Sequence, residues 1–150
     1  MSTTLESIKA AHAELGGRIA ALEAQAVTEF LLPETEIQLH AGEHYAGIIL
    51  NADGTPSHHL ILLPGDAEDL TWKAATAWAQ SEGGDLPTRP EQALLYANLK
   101  DHFQPRAYWS AEQHADPRCA WCQLFNYGVQ HDHDVSAELR ARAVRRLIID

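Results

Sequence analysis

The stretch that most constrains the fold of this chain runs from Gly83 to Arg89. The two glycines at its start are typical of a helix end, because glycine adopts the left-handed backbone that closes a helix at little cost. The next residues, Leu86-Pro87-Thr88, predict a rigid turn. Thr88 then caps a second helix, with Glu91 placed to complete a capping box. The fold must therefore accommodate two short helices joined by a tight turn.

Strand patterns lie on both sides of this helical pair. A β-hairpin is predicted before it, with strands at His44–Leu50 and His58–Leu63 around a turn-rich connection. Thr71 caps the first helix, and Pro105 closes the second helical region. The strands predicted after the helices are 107–110, 119–127, 138–149 and, as a strand or exposed loop, 129–134. Segregated helices and strands of this kind indicate an α+β fold rather than a parallel α/β sheet.

The N-terminal segment carries an apolar seam typical of an amphipathic or coiled-coil helix. Its positions alternate at spacings of three and four, and they are Leu5, Ile8, His12, Leu15, Ile19, Leu22 and Ala26. We predict a helix over residues 1–32 ended by Pro33, a linker over 33–43 and a single domain over 44–150. The helix either docks on its own domain or serves as an oligomerisation segment. We favour oligomerisation because the seam is narrow and the opposite face is polar.

The net charge of the chain disfavours two classes of binding partner. The 150 residues carry a formal net charge of -10, which disfavours binding to the phosphate backbone of nucleic acids or to anionic membranes. No apolar run approaches the roughly 20 residues of a membrane span. The N-terminus lacks the basic region and apolar run of a secretory signal, so we expect none.

The two cysteines, Cys119 and Cys122, have the C-x-x-C spacing of some metal and redox sites. Residues three apart on a strand face opposite sides, so the two thiols would not share one ligand sphere. We expect reduced thiols, with a metal or redox role as the alternative.

Several motifs, in this order along the chain, resemble the C-type-lectin-like domains of the DUF1566 group, which occur in bacteria and especially in phages and prophages. Leu86–Arg89 is similar to the turn into the family's second helix, Tyr108–Glu112 to its first core strand, Ala120–Gly128 to its central hairpin, and Arg142–Arg146 to the closing strand that pairs with the first. The resemblance covers about residues 44–148. It implies a compact mixed fold in which loops and the exposed face of the central hairpin form the ligand surface.

The resemblance leads us to expect a non-enzymatic binding or structural module. Some relatives are variable receptor-binding proteins of phages, so the expected role is in a phage or prophage tail or fibre. Its partner would be a protein or glycan ligand on a host surface, or another virion protein. The expected location is the bacterial cytoplasm during synthesis and then the virion tail. Trimers formed through the N-terminal helix are the first expectation, by analogy with tail fibres. The Glu-Pro-Asn and Trp-Asn-Asp motifs of calcium-dependent lectins are absent, so calcium-mediated sugar binding is not implied.

Polar and aromatic residues between 111 and 136 are the predicted contact residues, since tyrosine and asparagine suit recognition loops. The predicted binding residues are Glu112, Gln113, His114, Asp116, Gln123, Asn126, Tyr127, Gln130, His131, Asp132, His133 and Asp134. We predict no catalytic residue, no bound metal and no cofactor. All four tryptophans are expected in the core, and the arginines from Arg140 to Arg146 are expected to pair with acidic side chains.

Two alternative functions stay open. His131 and His133 would share one face of a strand, and His114 or Asp116 could add a third metal ligand. A metal-dependent enzyme on a fold like that of the formylglycine-generating enzyme could use His114, Cys122, His131 and His133. The other alternative is a prophage regulator that binds a host protein inside the cell.

Overall fold

The computed structural model describes residues 2–25, 27 and 29–150, with side chains from residue 4 onward. Within this part of the chain, none of the helices combines the length and the apolarity needed to cross a bilayer. The chain forms two compact units, Met1–Leu31 and Leu32–Asp150.

The first unit contains a helix, α1, over Ser2–Ala24. The apolar residues of its seam are exposed, and those described are Leu5, Ile8, Leu15, Ile19 and Leu22. Position 26 of the predicted seam lies outside the described residues. The helix ends well before Pro33, where the sequence predicted its end. Beyond Ala24 the seam spacing is replaced by a stretch with β-branched residues such as Val27, which have weaker helix propensity.

The second unit is mixed α and β, which confirms the predicted α+β class. Its first elements are β1 (His44–Leu50), β2 (Pro56–Leu62), β3 (Ala67–Leu70), α2 (Trp72–Ser81), α3 (Arg89–Leu99) and a 3-10 turn (Lys100–His102). The remaining strands are β4 (Ala107–Gln113), β5 (Cys119–Leu124), β6 (Val129–Asp134), β7 (Leu139–Ala141) and β8 (Val144–Ile148). Strand β3 was not predicted from the sequence.

These strands form two sheets. The small sheet has the order β1-β2-β8, and the large sheet has the order β3-β7-β4-β5-β6. All pairings between these strands are antiparallel except that of β4 with β7, which is parallel. Strand β8 pairs with β2, whereas the resemblance implied pairing with the first strand.

The single long C-terminal strand predicted over 138–149 is wrong. The chain instead forms β7 in the large sheet and β8 in the small one. Arg142, which lies between β7 and β8 in the chain, explains the break because its side chain is buried. It donates 2.6 Å hydrogen bonds to the backbone oxygens of His102 and Leu63. A buried arginine needs such partners, so the chain leaves one sheet here and enters the other.

The helices cover opposite faces of the large sheet, as the alternation of strand side chains requires. Trp109 of β4 is fully buried in the cluster that contains Ala75 and Ala79 of α2. Its neighbour Tyr108 faces the other way, into the cluster that contains Leu95 of α3. The large sheet is thus a layer between the two helices.

The predicted pair of short helices joined by a tight turn is confirmed. Gly83 takes a φ of +85° at the end of α2, and Thr88 with Glu91 completes the capping box of α3. Gly84 is needed for a different reason, because a Cβ atom there would lie 2.3 Å from the backbone oxygen of Val144. This glycine lets the turn pack directly against β8.

The predicted role of the C-terminal arginines is confirmed for three of the four. The ion pairs are Arg140 with Asp66 and Glu68, Arg145 with Glu43, and Arg146 with Asp85 and Glu91. Arg142 bonds backbone oxygens instead, and burial lowers the pKa of its guanidinium.

Candidate functional site

A groove of about 630 Å³ lies between α3 and the hairpin formed by β5 and β6. Helix α3 contributes one wall, and the large sheet contributes the floor and the far wall. We call it the α3 groove. Its lining residues are Arg89, Pro90, Ala93, Tyr96, Glu112, Gln123, Gly128 and Gln130.

The periodicity of the elements explains why these residues meet. Arg89, Ala93 and Tyr96 are spaced by four and three, so they share one face of α3. On the sheet, Gln123 of β5 lies directly opposite Gln130 of β6, and cross-strand partners face the same side. The two glutamines therefore point toward the face covered by α3.

Arg89 is held in a fixed orientation at the mouth of the groove. The carbon at the centre of its guanidinium lies 3.6 Å from the ring centroid of Trp121, a cation–π arrangement. Its Nε donates to Gln130 Oε1 at 2.9 Å, and Gln130 Nε2 returns a 2.7 Å bond to the Arg89 backbone oxygen. No hydrogen bond among the described residues uses Nη1 or Nη2 of Arg89. The two terminal nitrogens of the guanidinium, which we call the arginine fork, are therefore held in place and make no hydrogen bond within the described chain.

Glu112 stands beside Arg89 with half of its carboxylate engaged. Its Oε2 accepts a 2.6 Å hydrogen bond from the backbone N–H of Arg89. The backbone N–H of Glu112 is in turn fixed by Ser110 Oγ at 3.0 Å. Within residues 29–150, Glu112 Oε1 accepts no hydrogen bond. The carboxylate is partly buried and keeps one oxygen available to the groove.

Gln123 carries the strongest sign that the groove binds something. Its side chain is almost fully buried, at 1% exposure, and it lines the groove. Its Nε2 nonetheless has no hydrogen-bond partner in the described part of the chain. Leaving a buried amide donor unpaired costs about 1–3 kcal/mol. Gln92 Oε1 and Arg142 Nε are also buried without a partner in the described chain, but neither residue lines the groove, so of the three atoms only Gln123 Nε2 belongs to a residue that a groove ligand could reach.

Tyr96 and Gly128 form the end wall of the groove. The Tyr96 ring lies 6.0 Å from that of Phe125, measured between centroids. Gly128 turns the chain between β5 and β6 with a φ of +78°, and a Cβ atom there would lie 2.6 Å from Tyr96 Cζ. The glycine is therefore required both by the turn and by its contact with the tyrosine.

Three of the predicted binding residues, Glu112, Gln123 and Gln130, come together in the α3 groove. The others lie outside it. The ring of His114 lies beside that of Trp121, with centroids 4.8 Å apart and an interplanar angle of 51°, and Asn126 and Tyr127 are exposed at the turn that follows β5. Gln113 Nε2 donates to the Pro117 backbone oxygen.

The remaining predicted residues are divided between the two faces of the hairpin. Asp132 and Asp134 lie opposite Trp121 and Cys119, on the face that also carries Gln123. His131 and His133 lie opposite Cys122 and Ala120, on the face covered by α2. Asp116 is bound by Arg118 in the loop before β5. The strand alternation already separated the two histidines from the two aspartates, but it did not show which face α3 covers.

The metal-ligand set considered from the sequence is not assembled. The rings of His131 and His133 are neighbours, with centroids 5.7 Å apart, but no described residue joins them as a third ligand. Across the described residues there is no group of three or more histidine, cysteine and acidic side chains that could hold a metal ion. Cys119 and Cys122 are free thiols, and burial raises the pKa of Cys122 to about 12. A thiol with that pKa is a poor nucleophile or ligand at neutral pH.

Arg89 and Tyr96 were not predicted as site residues from the sequence, and the prediction that Trp121 lies in the core is wrong. Trp121 is only partly buried, and its ring supports Arg89. A signal was present, since Trp121 and Gln123 are two apart on one strand and must share a face. The position of Arg89 above that face depends on how α3 crosses the sheet, which no local pattern reveals.

A second polar cluster lies where α3 meets the small sheet, and we call it the Glu91 cluster. The Glu91 carboxylate is bound by Arg146 through two bonds of 2.7 and 2.8 Å, by His58 Nε2 at 2.7 Å and by the Thr88 backbone N–H at 2.8 Å. Ser57 Oγ lies 2.9 Å from His58 Nδ1. The serine–histidine–glutamate order is that of a hydrolytic triad, but here arginine already neutralises the carboxylate. Ser57 lines neither the α3 groove nor any of three other cavities that the described residues form. The cluster braces the helix against the sheet.

Comparison of the chain with known protein families and with curated proteins gave no match to a family or to a protein. The α3 groove therefore has to be interpreted from its own geometry.

Proposed function

We propose that this protein is a non-enzymatic binding module that recognises its ligand through the α3 groove. The observation that carries the proposal is Gln123, an almost fully buried amide in the lining of the groove, whose Nε2 has no partner in the described chain. A ligand acceptor would remove the cost of that unpaired donor. Binding energy would thus come from a group that the folded protein leaves unsatisfied.

The state of Arg89 also supports a binding role. Trp121 and Gln130 hold the guanidinium in place before any ligand arrives, so little side-chain entropy is lost on binding. A nucleophile with an adjacent base is lacking among the described groove residues, which are two amides, one carboxylate, one guanidinium and a phenol besides small side chains. Recognition suits this set better than catalysis.

The biological setting of the proposal comes from the sequence resemblance. We propose a phage or prophage tail or fibre protein with a C-type-lectin-like domain, made in the bacterial cytoplasm, that binds a host-surface ligand or a virion partner. Self-association through α1 belongs to the same proposal and is supported by its exposed apolar seam. An intracellular regulator that binds a host protein would use the same groove, and gene neighbours encoding tail proteins would favour the first setting.

Blocking the groove tests the binding role. A panel of small polar compounds would be screened against the ¹⁵N-labelled full chain by NMR, and hits would be mapped to groove residues. Ala93→Trp fills the groove from an exposed position of α3, while Ala52→Trp adds the same side chain in the exposed turn after β1. We expect groove hits that the first variant loses and the second keeps. The proposal fails if no compound perturbs the groove, or if both variants bind alike.

Self-association needs a separate measurement on the full chain. Light scattering over a range of concentrations would compare the natural chain with a Leu15→Glu/Ile19→Glu variant, which places charges in the seam. We expect an oligomer that the variant disrupts. A monomer in both proteins would exclude the oligomerisation role of α1.

A further inference from the structure

We infer that the ligand of the α3 groove presents a carboxylate, with a hydrogen-bond donor on a neighbouring carbon. This inference rests on the proposed binding function and specifies its ligand. It follows from counting the hydrogen-bonding atoms that the groove offers after the protein's own bonds are made.

The unused atoms are mostly donors. Nη1 and Nη2 of Arg89 and Nε2 of Gln123 have no partner among the described residues. Against them stand two acceptors, the anionic Oε1 of Glu112 and the amide Oε1 of Gln123, neither of which accepts a hydrogen bond within the described residues. A complementary ligand must therefore bring an acceptor group to the guanidinium and at least one donor beside it.

The guanidinium determines the shape of the acceptor group. Two parallel N–H bonds from an arginine fork match the two oxygens of a carboxylate, and such charge-assisted pairs are the stronger hydrogen bonds in proteins. The ring of Trp121 lies against the guanidinium at 3.6 Å and leaves the edge of the fork to the ligand. A planar anion can approach that edge in the plane of the fork.

Charge favours a carboxylate over a phosphate. Arg89 is the only cation in the lining of the groove as described, and Glu112 lies beside it. The whole chain has a formal net charge of -10. A monoanion is balanced by Arg89 alone, whereas a phosphate dianion would be repelled by Glu112 and by the surrounding charge.

Glu112 is the reason why the ligand needs a hydrogen-bond donor next to its carboxylate. Its Oε2 is bound to the backbone N–H of Arg89 at 2.6 Å, so the glutamate carboxylate lies close to the residue that would hold the ligand. Two carboxylates that met there without a proton between them would repel one another. A hydroxyl or ammonium group next to the ligand's carboxylate would bind Glu112 Oε1. Hydroxy acids, such as sugar acids, and amino acids both have this arrangement.

Five simple probes separate these requirements. The full chain would be titrated by NMR with glucuronate, alanine, acetate, glucose and glucose 6-phosphate. For ligands of this size we expect dissociation constants on the order of 1 mM. We expect glucuronate or alanine to bind the groove at least about tenfold more tightly than glucose, which lacks the carboxylate. Whichever binds more tightly identifies the source of the donor.

Each of the other probes can overturn part of the inference. If glucose bound as tightly as glucuronate, the ligand would not need a carboxylate. If acetate bound as tightly as the two larger acids, the ligand would not need a donor on the neighbouring carbon. Tighter binding of glucose 6-phosphate than of the acids would overturn the preference for a monoanion. If all five probes leave the groove unperturbed while the compound screen finds other ligands there, the inference fails and the binding function stands. If the screen is empty too, both fail.

Arg89→Lys tests whether the fork is responsible. Lysine keeps the charge but cannot form the paired bonds, so we expect about tenfold weaker binding of the acid. Arg118→Lys is the matched control because Arg118 is exposed and paired with Asp116 outside the groove. Thermal unfolding of both variants would verify that they fold. Unchanged affinity in a folded Arg89→Lys protein would contradict the inference.

Discussion

Two arginine–glutamate pairs meet the first turn of α3, and they differ in how completely their hydrogen-bonding atoms are used. In the Glu91 cluster, Arg146 binds Glu91 through two bonds, and further bonds come from His58 and Thr88. The carboxylate there is fully buried. In the α3 groove, Arg89 and Glu112 are joined through a backbone N–H, and each side chain keeps atoms without a partner in the described chain.

The difference shows how scaffold and site can be told apart when they are made of the same residue types. A buried ion pair with every atom bonded fixes the geometry of the elements around it and has nothing left for a ligand. A partly open pair with oriented but unused atoms retains binding capacity. Saturation of hydrogen bonds, rather than residue identity, assigns the first pair to structure and the second to recognition.

The largest expected effect is on stability when the saturated pair is broken. Glu91→Gln removes the charge that Arg146 and His58 surround, and breaking a buried pair costs about 3–5 kcal/mol. Glu112→Gln is the matched change in the groove and should cost less than about 1 kcal/mol, since that carboxylate is partly solvated. Denaturant unfolding measures both free energies. Equal losses would show that the two pairs have the same structural role.

Acid should weaken the Glu91 cluster in a defined range of pH. Burial alone would raise the pKa of Glu91, but the bonds from Arg146 and Thr88 lower it from the ordinary value of 4.5 to about 2. Because the folded pKa lies below the unfolded one, this carboxylate contributes stability in full above about pH 4.5. The contribution is lost as the pH falls toward 2. Unfolding free energies of the natural chain and of Glu91→Gln should therefore converge over that range. A difference that stays constant with pH would contradict this assignment.

The helical pair and its capping could be predicted because they depend on local rules. Thr88 and Glu91 sit three apart at a helix start, and Gly83 provides the positive φ that ends α2. The single C-terminal strand was wrong for a nonlocal reason. Arg142 finds its partners at His102 and Leu63, far away in sequence, and no pattern within residues 138–149 encodes those contacts.

The site was partly predictable. Composition pointed to Glu112, Gln123 and Gln130, but the same reasoning also selected His131 and His133 on the other face of the hairpin. To tell the groove residues from the two histidines, one needs to know the register of the strands and the face of the sheet on which α3 packs. Arg89 entered the site only through that packing, as a helix residue placed above a strand tryptophan.

Gly128 lies in the wall of the α3 groove against Tyr96, and substitution there should have an intermediate effect. Gly128→Ala imposes a side chain at a φ of +78° and brings its Cβ to 2.6 Å from Tyr96. Gly54 supplies the control because its φ is +86° and nothing lies within 4 Å of its Cβ position. We expect Gly54→Ala to cost about 1 kcal/mol and Gly128→Ala to cost about 1–3 kcal/mol more, with weaker binding in the groove. Equal costs in thermal unfolding would show that Tyr96 moves aside freely.

The smallest effect is expected for two buried glutamines that differ in their amide donors. Gln92 Nε2 is bonded and Gln123 Nε2 is not, although Gln92 Oε1 also lacks a partner in the described chain. Gln92 Nε2 donates to the backbone oxygens of Tyr108 and Trp109, so Gln92→Leu leaves those acceptors short of a donor and should cost about 1–3 kcal/mol. Gln123 Nε2 has no partner among the described residues, so Gln123→Leu should be neutral or stabilising by about 1 kcal/mol.

The two glutamine variants also separate stability from binding. Gln123→Leu should abolish ligand binding in the α3 groove while the protein stays folded, because the leucine cannot donate to the ligand. Gln92→Leu should weaken folding and leave the affinity of the folded protein unchanged, since Gln92 is not part of the groove lining. Denaturant unfolding and NMR titration of each variant give both quantities. A clear loss of stability in Gln123→Leu would mean that its amide is already satisfied within the protein, and the unpaired donor would no longer mark a binding site.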